Sequence, residues 1–304
     1  MVLYRGRSLS YCDILNQVEK SNDFCFANYT TYGLGGKAKI AYFPQTEQEA
    51  VAVFEYLNNS GEKFVILGNG SNVLASDKFY DGAVISTKNL KGIEKRGDTL
   101  YCLSGTTVQE LLKYCLENGL GGLEYLAGIP ASLGGLALMN GGVPSRHIES
   151  DIQSVTVFDG KIRNLSNKNC NFGNKHSTMR DINCLILGVN LSIFAVPREA
   201  AQNKLNEYLE VRKHQPKGKN CGCVFKNFYE ISAGKLIDEA GLKGLKIGQA
   251  EVSDFHANFI VNNGTSAQDV YSLIKLVQRK VFESTQVKLE EEVVYIGEFN
   301  ETDS

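Results

Sequence analysis

The stretch NCGCVFKN, Asn220 to Asn227, sets a thiol, Cys223, just after a glycine and shortly ahead of the pair Lys226 and Asn227. A thiol with a reference pKa of about 8.5 is protonated at neutral pH and is a better acid than a hydroxyl, so it suits proton donation. The lysine and asparagine suit the holding of an anion. Near the end of the chain, LEEEVV at 289–294 supplies consecutive carboxylates. Upstream lie three glycine-rich loops: GLGGKA at 33–38, GNGSN at 68–72 and GIPASLGGLALMNGG at 128–142. Bare backbone in such loops approaches a ligand closely and turns its amides toward negative charge. Each loop alone reads as a turn, but three in one half-chain read together as a phosphate cradle. None is GxGxxG opening a helix in a βαβ unit, and none is GxxxxGK followed by Ser or Thr, which disfavours a Rossmann site and a P-loop.

The elements that must position these residues can be read from caps and periodicity. Thr46 with Glu49 opens a helix through TEQEAVAVFEYLNN, and FVIL at 64–67 reads as a buried strand running into GNGSN. Thr107 with Glu110 opens a second helix whose Val108, Leu111, Leu112, Cys115 and Leu116 share a face, with Gly119 ending it. SVTVFDGKIRNL carries a hairpin signal around Asp159 and Gly160, and CLILGVNLSIF at 184–194 is a further strand. From Arg198 a charged helix runs to about Lys213. A short helix follows around AGKLIDEAG, then a strand in ANFIVN, then a helix capped at Ser266 with Val270, Leu273, Ile274 and Val277 inward.

The chain has 304 residues, 43% hydrophobic and 22% charged, enough apolar material for two or three domains. A net charge of −2, from 32 basic and 34 acidic residues, offers no footprint for nucleic acid. Eight cysteines (12, 25, 102, 115, 170, 184, 221 and 223) include no CxxC pair, as expected of a reduced cytoplasmic protein. Cys221 and Cys223, one residue apart, have poor zinc spacing, so no metal is expected. No apolar run approaches the roughly 20 residues of a membrane span, and the first thirty residues lack the apolar core of an export signal.

The ordered motifs NYTTYGLGGKA, LGNGSNVLASD, GIPASLGG with LMNGG, GCVFKN, AGKLIDEAGLKG, HANFIVN and LEEEVV carry a resemblance. Over nearly the whole chain they are similar to the UDP-N-acetylenolpyruvoylglucosamine reductase family, in its shorter class without an inserted substrate loop. The resemblance implies an α+β fold: a two-part FAD-binding domain of the vanillyl-alcohol-oxidase (PCMH) type, at 1–88 and 89–195, and an α+β substrate-binding domain at 196–304. It implies an NADPH-dependent flavoenzyme that reduces the enolpyruvyl double bond of a UDP-sugar to UDP-N-acetylmuramate for peptidoglycan. A cytoplasmic monomer, without nucleic-acid or membrane partners, is expected.

The resemblance also assigns residues. Hydride addition pushes negative charge into the substrate carboxylate, so a cation and an acid belong there, and a proton donor belongs at the neighbouring carbon. Glu292 matches the family's Glu, and Cys223 its Ser or Cys donor. Glu290 and Glu291 read as a solvated acidic face, and the other cysteines as inert. Where the family shows Tyr-Arg ahead of a Ser, this chain has FGNKHSTM at 172–179, so Lys175 takes the cation's place without the two-pronged guanidinium; Arg180 lies five residues on. Val294 likewise replaces an arginine. Gln215, Lys226, Asn227 and Asn258 match substrate contacts, Arg212 reads as a surface helix charge, and His256 as a structural hydrogen-bonding group. Gly35, Gly36, Gly68, Asn69, Gly70, Ser71, Asn72, Gly128, Ile129, Pro130, Gly134 and Asn140 are the expected FAD contacts. The first histidine, His147, falls past the segment where covalent oxidases of this fold attach flavin, which implies non-covalent FAD. Two alternatives stay open: a flavin oxidase on the same fold, which need not carry GCVFKN or LEEEVV, and a flavin-binding remnant without turnover, suggested by Asn174 and Lys175.

Overall fold

Thr107 opens its helix as its spacing predicts. In the computed structural model, which describes residues 3–4, 7–8, 11–227 and 231–301, the Thr107 side chain accepts from the Glu110 N–H, and Glu110 reaches back to the Thr107 N–H (2.8 Å). The helix Val108–Glu117 buries Val108, Leu111, Leu112 and Cys115; Leu116 is half-buried. The Thr46 side chain likewise accepts from the Glu49 N–H at the start of Glu47–Ser60, while Glu49 accepts from the Gln45 N–H (2.7 Å), and Gly61 ends the helix in the left-handed region.

The described residues divide into two compact units. The first comprises 1–22, 40–69 and 82–211; the second comprises 23–39, 70–81 and 212–304. The first unit centres on a five-stranded antiparallel sheet in the order Ile162–Ser166, Ile152–Phe158, Leu185–Ser192, Thr99–Leu103, Ile93–Arg96. The hairpin turns at Gly160. Alternation buries Val155 and Val157 toward the helices Val108–Glu117 and Leu133–Leu138, and a register shift between Ile152 and Ser154 lets Ile152 join the same core. Gly188 lies in the strand Leu185–Ser192 because Tyr101 crosses it: a Cβ there would sit 2.5 Å from the ring. Tyr101 continues over the strand to donate to Glu47 (2.5 Å).

A four-stranded sheet orders Glu19–Ser21, Ala38–Phe43, Tyr80–Ser86 and Phe64–Leu67. Phe64–Leu67 pairs in parallel with residues 83–86 and is an edge strand, so the expectation of a buried strand is corrected. Leu67 is buried, but Ile66 is 38% exposed.

In the second unit the helix Ala267–Thr285, capped by Ser266, turns Val270, Leu273, Ile274 and Val277 onto the sheet of Lys246–Ile247, Ala250–Val252 and Ile260–Asn262. The strand Val294–Ile296 pairs in parallel with Val73–Ala75, the segment that follows GNGSN. This pairing ties the acidic end of the chain to the second glycine loop.

Candidate active site

The second unit brings together the segments of Cys223 and Glu292. The Glu292 N–H donates to Val224 O (2.7 Å), the Lys226 N–H donates to Glu290 O (2.8 Å), and Phe225 bridges Glu291. Gly222, at φ 81°, turns the chain into this ladder, and Cys223 is half-buried at its start. Asn72 donates its side-chain amide to Glu292 O (3.0 Å) and accepts from the Val294 N–H through its backbone. Asn72, expected to contact FAD, here tethers the Glu292 backbone.

Burial pushes the Cys221 thiol up to about 12, Tyr32 opposes this by hydrogen bonding, and the nearby Glu292 and Cys223 add to it. Burial likewise lifts Cys102 and Cys115 to about 12, and Cys170 and Cys184 to about 11, which makes them inert thiols. Cys12 lies outside the residues whose side chains are described.

Two sequence readings change here. Arg212, expected as a surface charge, is half-buried: desolvation lowers its pKa and Cys223 raises it, so the guanidinium is a cation beside the candidate acid. It donates to Gln215 Oε1 (3.1 Å), which orients both. Its position in the last turn of Arg198–Arg212, opening RKHQP a few residues ahead of the thiol segment, was the available signal. Glu290 is exposed, as a solvated acidic face requires, but Glu291 is not. Glu290 pairs with Lys226, and Glu291 pairs with Lys275 (2.6 Å) with its side chain only 18% exposed. Lys275 is in turn flanked by the rings of Tyr271 and Tyr295.

The other matched positions in this unit are engaged within the chain. Asn227 Oδ1 accepts from the Ala233 N–H (3.0 Å) at the start of Ala233–Glu239. Asn258 is 1% exposed, and its amide bonds the Phe225 backbone at both ends, so the expected substrate contact is replaced by support of the Cys223 segment. His256 has the structural role expected of it, accepting at Nδ1 from the Asn258 N–H (3.3 Å). Gly35 and Gly36 lie against residues 75–78, where a Cβ would collide, and the Gly36 N–H bonds Ser76 O (2.8 Å). They fix the loop rather than present open amides. Gly70, at φ 62°, leaves no room for a side chain against Tyr29 O. Ser71 beside it is half-buried.

In the first unit, Asn69 donates to Pro130 O (2.6 Å), joining GNGSN to the half-exposed turn Gly128, Ile129, Pro130. Behind it a Cβ on Gly68 would strike the Ser132 hydroxyl, and one on Gly134 would lie 2.7 Å from Ser104 Cβ. Among the described residues, the Ser104 and Ser132 hydroxyls are buried without a hydrogen-bond partner. Two unmatched hydroxyls beside three close-packed glycines, Gly68, Gly134 and Gly135, fit an acceptor-rich group such as a dinucleotide pyrophosphate. The sequence reading missed Ser132, although GIPASLGG displays it.

Lys175 stands at φ 54° in a tight turn closed by Gly173 and His176. Its carbonyl accepts from Arg180 (2.7 Å), and its charge, after burial, lowers the His147 pKa. Asn140, also left-handed at φ 45°, donates to Gly173 O (3.0 Å) and to Glu149 (2.8 Å). Buried at 2% exposure, it latches the Lys175 turn rather than lining a flavin.

The fold and these two sets of residues define a chain with an FAD-binding part and a smaller α+β part. Family models agree: an FAD binding domain matches residues 38–166, and the UDP-N-acetylenolpyruvoylglucosamine reductase C-terminal domain matches 214–296. UDP-N-acetylenolpyruvoylglucosamine reductase of Prochlorococcus marinus is 34% identical over 93% of this chain and 100% of its own length. That of Chlamydia abortus is 37% identical over 87% and 90%. The crystal structure of UDP-N-acetylenolpyruvylglucosamine reductase from Thermus caldophilus superposes with a TM-score of 0.79 at 33% identity, covering 92% of this chain and 99% of that one. The chain belongs to the UDP-N-acetylenolpyruvoylglucosamine reductase family.

Proposed function

We infer that this chain is an FAD-dependent reductase that saturates the enolpyruvyl double bond of UDP-N-acetylglucosamine enolpyruvate, with NADPH as reductant, to give UDP-N-acetylmuramate for peptidoglycan synthesis. The observation that carries this reading is the pairing of the Cys223 and Glu292 segments at Val224 and Glu292 in a member of this family. FAD, when bound, would supply the hydride-transfer chemistry that links NADPH to the double bond. Gly68, Asn69, Ser104, Ser132 and the Gly128–Pro130 turn would hold it.

Cys223 Sγ–H gives its proton to the carbon next to the carboxylate, and the thiolate is reprotonated from solvent. As the electron pair moves toward the carboxylate, Glu292 supplies a hydrogen bond there, and Arg212 supplies positive charge. Arg212 beside Cys223 also stabilises the transient thiolate. Lys226 and Gln215 hold the remaining polar groups of the substrate.

The domain division that goes with this activity is 1–88 and 89–195 for the flavin and 196–304 for the substrate, in a cytoplasmic monomer. Among the described residues, no helix is long and apolar enough to cross a membrane. The test is product analysis in D2O: a product with two more hydrogen atoms than the enolpyruvyl substrate, the one at the carbon bearing the carboxylate being deuterium, is expected. NADPH consumption indifferent to that substrate, with oxygen uptake on a small alcohol instead, would favour a flavin oxidase.

A further inference from the structure

We propose that Asn258 is the positioning residue for the Cys223 thiol, acting through the backbone of Phe225. The inference rests on the reading of Cys223 as proton donor. Asn258 Oδ1 accepts from the Phe225 N–H (2.9 Å), Nδ2 donates to Phe225 O (2.8 Å), and the Asn258 carbonyl accepts from the Val224 N–H (2.9 Å). One planar amide thus does for Phe225 what a neighbouring strand would do. Asparagine presents a donor and an acceptor side by side, matching the N–H and C=O of a single residue.

On its other edge the same segment is held by the Glu292 N–H to Val224 O and the Lys226 N–H to Glu290 O. Val224 and Phe225 are therefore fixed from both sides, with their side chains 0% and 1% exposed, and Cys223 is the next residue along. Asn258 is itself held by His256 Nδ1 at its N–H, and its Cβ lies 3.5 Å from the Cβ position of Gly234 on the helix Ala233–Glu239. The arrangement sets where the thiol can stand without placing Asn258 against the substrate.

Loss of the amide leaves the Phe225 N–H and C=O buried and unpaired, so the segment shifts to recover partners. A displacement of about 1 Å at a proton donor slows transfer by about 10- to 100-fold. Substrate affinity, set by other residues, changes little. Aspartate gives a titratable substitute. Protonated, it keeps both bonds; ionised, it turns an acceptor on Phe225 O, and burial raises its pKa.

The experiment measures, by stopped flow on flavin-loaded protein, the rate at which the enolpyruvyl sugar nucleotide restores flavin absorbance bleached by NADPH. Cys223 alkylation by iodoacetamide, mapped by mass spectrometry, is followed in parallel. For Asn258→Ala the expected result is a rate lower by about 10- to 100-fold at a KM within about twofold of wild type, with a changed alkylation rate. Asn258→Asp, purified at pH 6 to keep its carboxyl protonated, should be slow at pH 8 and recover toward wild type at pH 6. Should Asn258→Ala not fold, that pH dependence decides. A purely structural Asn258 would lower the melting temperature and leave the rate per flavin and its pH profile as in wild type, which overturns the proposal. Cys223→Ala separates the two readings. If it too keeps the wild-type rate, the donor assignment has failed; if it is slow while the Asn258 variants are fast, only the positioning role has.

Discussion

A thiol serves as the acid only if its neighbours keep it in place and neutralise the anion it leaves, and here Arg212 and the Glu292 segment flank it. Cys223→Ala is expected to lower the rate of substrate reduction by about 10²- to 10⁴-fold while leaving reduction of the flavin by NADPH in place, checked by separate half-reaction kinetics. Lys175 carries a charge without a bidentate fork. If a guanidinium contact is missing there, about 1 to 3 kcal/mol of transition-state stabilisation is missing too, roughly 5- to 150-fold in rate. Lys175→Arg should therefore match or exceed wild type in kcat/KM, and a large loss would show that Lys175 does not fill the arginine's place. At this scale the sequence displayed residue types and order but not how each polar group is satisfied. Asn72, Asn140 and Asn258 sit in motifs that suggest ligand contacts, yet each has its amide bound to the chain's own backbone. Arg212 is the opposite case: a charge in a charged run reads as surface, and only its place at the helix end ahead of the thiol segment points to its half-buried position.

Elements bounded by their own caps were the most legible, since a cap is a local exchange of hydrogen bonds among residues a few positions apart. Thr107→Ala removes the acceptor for the Glu110 N–H and is expected to destabilise the chain by about 1 kcal/mol in urea unfolding; no change would mean the capping box is redundant. The four apolar residues of Phe64–Leu67 do not reveal whether their strand has neighbours on both sides; that depends on pairing with Tyr80–Ser86. Gly188 shows a second limit. Its smallness is required by Tyr101 from another strand, and Gly188→Ala should lower the melting temperature because the Tyr101 ring must leave its bond to Glu47. Wild-type stability in that variant would contradict the close packing.

Across the whole chain, the order of seven motifs was enough to announce the family, while the grouping of 23–39 and 70–81 with the C-terminal residues was not legible, because it depends on long-range pairing such as Val73–Ala75 with Val294–Ile296. Two histidines give the molecule a pH dependence. Burial lowers His147, with Lys175 adding to it, and burial lowers His256, both from 6.5. The folded state thus binds fewer protons than the unfolded one, so this contribution to stability is complete above pH 6.5 and is lost as pH falls through the depressed values. Melting temperature should fall between pH 7.5 and pH 5.5, and less steeply in the His147→Gln, His256→Gln double variant; an unchanged slope would assign the effect to other groups. Denaturation should release the yellow flavin into the filtrate. The most direct test of the account is anaerobic: NADPH is added to bleach the flavin, then one equivalent of UDP-N-acetylglucosamine enolpyruvate. The prediction is stoichiometric return of the oxidised spectrum with formation of UDP-N-acetylmuramate; a spectrum that stays bleached until oxygen is admitted would contradict it.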